Sequence, residues 1–184
     1  MNRPMSMFIM LIILAGSCFF YGEYCHAGGD ELTVNKLMNA EYRLKCGKIK
    51  LTDGVFENPI EGAHHSSTEW PGKFDFGDLN GDGAADAVAI LWSFVGASGT
   101  WVELVAITNR KGHPRQAAVL NLGNKVNIKS LSINSGLILL EIVRHSPSDP
   151  MCCPSVHFLE KYRVKGNKLV LVSKEKLHVG TTED

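Results

Sequence analysis

The chain has 184 residues, with 19 Lys and Arg against 19 Asp and Glu, so its formal net charge is zero. No basic excess is present to grip nucleic acid or an anionic membrane surface, which argues against both as partners. At 45% hydrophobic residues the chain is long and apolar enough for one domain with a real core.

The first residues read as an export signal. Arg3 is followed by an apolar run from Met7 that continues almost unbroken to Tyr21, and Cys25-His26-Ala27 offers small residues at −3 and −1. Cleavage before Gly28 is expected, which makes residues 1–27 a signal peptide and leaves no integral membrane span. The apolar core is shorter than the roughly 20 residues that a transmembrane helix needs. Ala15-Gly16-Ser17-Cys18 also resembles a lipobox, which would lipidate Cys18. Ala15 stands where leucine is preferred and Phe19-Phe20-Tyr21 prolongs the apolar run, so ordinary cleavage and a periplasmic or secreted protein are the reading.

Residues 28–38 fit a linker or one or two helical turns, with apolar positions at 34, 37 and 38. Residues 39–174 read as a β domain. Ala40–Leu44 and Lys48–Leu51 flank Lys45-Cys46-Gly47 as a hairpin, and Thr52-Asp53-Gly54 turns into Val55-Phe56. Residues 57–71, with Pro59, Glu61, Gly62, His64-His65 and Pro71, read as a polar loop. Adjacent histidines there lack the i, i+4 spacing of helical metal pairs.

Beyond the loop, apolar runs recur at near-regular spacing: 73–76, 85–94, 100–108, 116–122, 125–133, 137–143, 156–164 and 168–172. Turn residues such as Gly96-Ala97-Ser98-Gly99, Lys111-Gly112-His113-Pro114 and Asn134-Ser135-Gly136 separate them. This predicts a mainly β fold, an antiparallel meander forming a single sandwich or partly open barrel. Ala87–Trp92 and Leu137–Leu140 are apolar on both faces and should be central strands, whereas Val126–Ile133 alternates and should have one wet face. Trp70, Trp92 and Trp101 could make a carbohydrate-stacking platform, but core packing explains Trp92 and Trp101 more simply. Residues 175–184 read as a C-terminal tail.

Asp78-Leu79-Asn80-Gly81-Asp82-Gly83-Ala84-Ala85-Asp86 carries the clearest chemistry. Short oxygen-bearing side chains stand at positions 1, 3, 5 and 9, with glycine at position 6. Calcium takes several carboxylate and carbonyl oxygens from one curled segment, so Asp78, Asn80, Asp82, the Ala84 carbonyl and Asp86 are the candidate ligands. The EF-hand pattern is not completed, because Ala89 occupies position 12 and strand follows. Asp, Asn and Gly also make good turns, but the four-ligand register favours a structural calcium ion.

With Phe76-Gly77 in front, this loop resembles the calcium loops of FG-GAP (integrin-propeller) repeats and is similar to dockerin loops. The run from Gly77 to Gly83 with Asp86-Ala87-Val88, together with Asp149-Pro150-Met151-Cys152-Cys153-Pro154, also resembles a set of small exported bacterial proteins of unknown function. A propeller needs several blades, and one copy of the motif rejects it.

Cys46, Cys152 and Cys153 remain after signal cleavage. A bridge from Cys46 to one of the adjacent pair is the expected disulfide, with a vicinal Cys152–Cys153 bond as the alternative. His145 and Asp149 lie in the same proline-rich segment and mark a candidate functional loop. The favoured function is non-enzymatic, a binding or envelope-associated role for a protein or small-molecule ligand that the sequence does not name. The alternatives are a hydrolase using His145 and Asp149 beside the metal site, and an adhesin-like module with Trp70 exposed.

Overall fold

The structure, a computed structural model, describes residues 30–58, 66–96, 99–150 and 152–178. The expected signal peptide with Cys18, the His64-His65 pair and the last residues of the tail lie outside them.

The chain enters through the short helix α1 (Val34–Met38), where the Thr33 hydroxyl accepts the Lys36 amide as an N-cap. Among the described residues twelve antiparallel strands follow: β1 (Glu41–Leu44), β2 (Gly47–Lys50), β3 (Val55–Asn58), β4 (Ser66–Glu69), β5 (Phe74–Gly77), β6 (Asp86–Val95), β7 (Thr100–Arg110), β8 (His113–Gly123), β9 (Asn127–Asn134), β10 (Leu137–Arg144), β11 (Val156–Lys165) and β12 (Lys168–Lys176). β1 and β2 form a separate hairpin. The largest sheet has the order β3-β4-β6-β7-β8, and the other is β12-β11-β10-β9. β4 and β5 lie end to end along one edge of β6, β4 opposite residues 92–95 and β5 opposite residues 86–89.

The two-faced apolar strands are explained by three layers. Val88, Ile90, Leu104 and Ala106 face Ile138, Leu140 and Ile142 of the four-stranded sheet. Ala87, Ala89, Leu91, Val105 and Ile107 face the opposite way, onto α1 and the β1–β2 hairpin, with Leu37, Tyr42 and Ile49. β6 and β7 are therefore buried on both sides, as parity along a strand demands. The architecture is a sandwich with a small third layer, and among the described residues no barrel closes. At one edge the two sheets meet, where Asp75 accepts the Ile133 amide at 2.7 Å.

Several expectations need correction. The polar stretch 57–71 contains β4, whose Thr68 is fully buried, and β3 reaches Asn58. The turn after β7 is only Lys111-Gly112, both at positive φ, and Pro114 belongs to β8. Proline is tolerated there because β8 is an edge strand. β12 runs to Lys176, so the tail begins later than residue 175. Trp92 is not core: it is 43% exposed, on the side of β6 facing the second sheet but beyond its cover.

Candidate functional site

The Asp78 loop joins β5 to β6 and is organised by its own side chains. Asp78 accepts the amides of Asn80 (3.1 Å) and Gly81 (2.6 Å) on one oxygen and of Gly83 (2.9 Å) on the other. The Asn80 side-chain oxygen accepts the Asp82 amide, and Asp82 accepts the Ala84 amide, each at 2.9 Å. These amide bonds, from Gly83 first and then Gly81, hold the Asp78 carboxyl below its ordinary pKa. The curl thus presents Asp78, Asn80 and Asp82 along one short stretch of exposed chain.

Asp86 has a different place. It is fully buried at the start of β6, and its two oxygens accept the amides of Leu79 (3.0 Å) and Asn109 (2.8 Å). Burial raises its pKa, opposed by those two amides, and the charges of Asp82 and Asp78 push it further up. Asp86 therefore ties the loop to the distal end of β7. Among the described residues no group of three His, Cys, Asp or Glu side chains is gathered as a metal cluster, and none of the three loop carboxylates forms a salt bridge. The donor set of Asp78, Asn80, Asp82 and the Ala84 carbonyl is made of oxygens only, which fits a hard cation.

The second candidate is the loop between β10 and β11. Asp149 accepts the amides of Ser146 (2.8 Å) and Ser155 (2.9 Å) and the Ser155 hydroxyl (2.7 Å), so it clamps both feet of the loop. These bonds, the Ser146 amide foremost, lower its pKa. Inside the clamp Cys152 is bonded to Cys153, and Cys46 is free. The expected Cys46 bridge is thus corrected to the vicinal one. The reason is topological: Cys46 packs with the core beneath the hairpin, against Thr68 at 3.4 Å, whereas Cys152 lines a groove on the other side of the large sheet.

That groove, of about 600 Å³, brings Cys152 and His145 beside Trp92, Val102 and Ile128. The His145 Nε2 atom is buried with no hydrogen-bond partner among the described residues, and neither Asp149 oxygen bonds to it. His145 and Asp149 share no hydrogen bond. Nor is the Asp78 loop near: Asp86 and Trp92 are six residues apart on β6, about 20 Å at roughly 3.3 Å per residue. The groove with His145 and the Asp78 loop thus lie toward different ends of β6.

Two polar clusters were missed by sequence reasoning. Beneath the hairpin, Glu103 accepts the Lys45 amide at 2.8 Å and the Ser93 hydroxyl, and Thr68 continues the chain to Cys46. Burial raises the Glu103 pKa, against the lowering by Ser93 and Lys45. In the four-stranded sheet, buried Glu160 receives Arg144, Lys174 and the Tyr162 hydroxyl. For Glu103 the sequence signal was a lone charge inside an apolar strand, Val102-Glu103-Leu104; Glu160, followed by Lys161 and Arg163 in β11, gave no such signal.

Trp70, the residue expected to anchor an adhesive patch, is half-buried against Phe74 with 5.7 Å between ring centroids. Exposed large apolar side chains lie at Val55 on β3, at Trp92, and at Val170, Leu171 and Val172 on β12. No helix among the described residues is long and apolar enough to cross a membrane. No protein-family model matches the chain, and no curated protein or solved structure is significantly similar to it.

Proposed function

We propose that the chain is an exported, non-enzymatic β domain that acts by binding, with a calcium ion bracing the β5–β6 connection at Asp78, Asn80, Asp82 and the Ala84 carbonyl. One observation carries this reading: Asp78, Asp82 and Asp86 crowd a nine-residue loop without a salt-bridge partner among the described residues, and the first two raise the pKa of the third. A divalent cation would offset that repulsion, and the oxygen-only donor set suits calcium. Asp86 would act from behind, holding the loop to β7 through Leu79 and Asn109. Export is supported by the apolar segment and the Cys25-His26-Ala27 site.

Calorimetric titration of calcium into the chelator-treated protein tests the proposal. One site is expected in the wild type and none in Asp82→Ala. Equal heats from the two proteins, or no heat in either, would remove the calcium reading.

A further inference from the structure

We propose that the Cys152–Cys153 disulfide is a thiol–disulfide exchange site, reversibly reduced by dithiols, and not a staple of the fold. The inference is independent of the calcium reading. A disulfide stabilises mainly by closing a loop in the unfolded chain, and the gain grows with the residues enclosed. Here the sequence separation is one, so almost no chain is enclosed.

The loop has another fastener. Asp149 receives three hydrogen bonds from Ser146 and Ser155, one residue on either foot, and none of them passes through sulfur. Cys153 adds only its amide, donated to the Pro150 carbonyl at 3.1 Å, which reduction leaves in place. The bond is therefore dispensable to the loop that carries it.

Access is equally specific. Both cysteines are exposed, and Cys152 alone of the pair lines the groove shared with Trp92 and His145. Exchange needs a thiolate to reach one sulfur and the other to leave. The groove assigns Cys152 as the attacked sulfur and Cys153 as the leaving group.

The step balances as follows. One thiolate of a dithiol attacks Cys152 Sγ, the Cys152–Cys153 bond breaks, and Cys153 leaves as a thiolate that takes the proton given up by the attacking thiol. The second thiol of the reductant then attacks its own sulfur in the mixed disulfide. Cys152 is released and protonated, and the reductant departs as a cyclic disulfide. Two electrons pass from dithiol to protein. Cys46 cannot act as the resolving thiol, since the large sheet lies between.

The test is reduction of the folded full chain by millimolar dithiothreitol, with alkylation and peptide mapping of residues 152–153 and thermal melts of both forms. Both cysteines should be alkylated only after reduction, and oxidised dithiothreitol should restore the bond. The melting midpoint should move by less than about 4 °C on reduction and in Cys152→Ser/Cys153→Ser, below the shift expected from losing a structural disulfide. Resistance to the reductant while folded, labelling before reduction, or a larger drop in either form would overturn the proposal.

Discussion

Asp86 accepts the backbone amide of Asn109 at 2.8 Å while its other oxygen accepts that of Leu79 at 3.0 Å. One buried carboxylate thereby joins the end of the acidic loop to the distal end of β7. The last acidic residue of the motif is a fastener between loop and sheet.

Asp86→Ala should therefore be costly with or without calcium, because two buried amides lose their acceptors. A loss of about 2–4 kcal/mol is expected in urea unfolding. A change under about 0.5 kcal/mol, the range of an ordinary surface substitution, would show that the clamp contributes nothing.

The pH dependence of the same residue has a definite sign. Burial raises the folded pKa of Asp86, so the folded state holds the proton more tightly than the unfolded one. Its contribution to stability is then largest at low pH and declines as pH rises from the ordinary carboxylate value through the raised one. In chelator, Asp86→Asn should remove this decline, and in wild type calcium should flatten it. Denaturant midpoints across that interval measure both effects.

Glu160 titrates in the opposite direction. Burial alone would raise its pKa, but hydrogen bonds from Arg144, Tyr162 and Lys174 outweigh it and hold the group at about 2. Its stabilisation is present above the ordinary value of 4.5 and is lost as pH falls from there toward about 2. Glu160→Gln should flatten that acid limb. It should also cost about 3 kcal/mol at neutral pH, since Arg144 keeps a half-buried charge without its partner. An unchanged acid limb in the variant would refute the assignment.

Gly77 offers a packing test. A Cβ there would stand 2.7 Å from Ile133 Cγ2, where β5 abuts β9. Gly77→Ala should cost about 1–3 kcal/mol by overpacking. Adding Ile133→Ala, which deletes the clashing atom, should make the double variant lose less than the two single losses summed. Simple additivity in this cycle would mean that the two residues do not touch.

How much of this was legible follows from what hydrophobic patterning encodes. β6 and β10 announced themselves through apolar residues on both faces, and β9 through alternation, because burial of those strands is paid in side chains. β4 was invisible: Ser66-Ser67-Thr68-Glu69 has no apolar period, and its fully buried residue Thr68 is held by a hydroxyl and carboxylate network with Ser93 and Glu103. Trp92 was misplaced because parity gives the face of a strand but not where the covering sheet ends. The Asp78–Asp86 spacing identified the loop, yet it could not say that Asp86 turns inward, since that depends on Asn109 being brought across from β7. The cysteine pairing depended on which side of the sheet each residue occupies, and sequence separation holds no such information.

The central claim is that a calcium ion braces the β5–β6 loop, and the most direct measurement is a set of thermal melts in millimolar calcium and in chelator. Wild type should melt higher with calcium, by an amount that grows with its concentration over Kd, while Asp82→Ala should melt at the same temperature in both. A wild-type midpoint that does not move, or an Asp82→Ala protein that gains as much as wild type, would contradict the account.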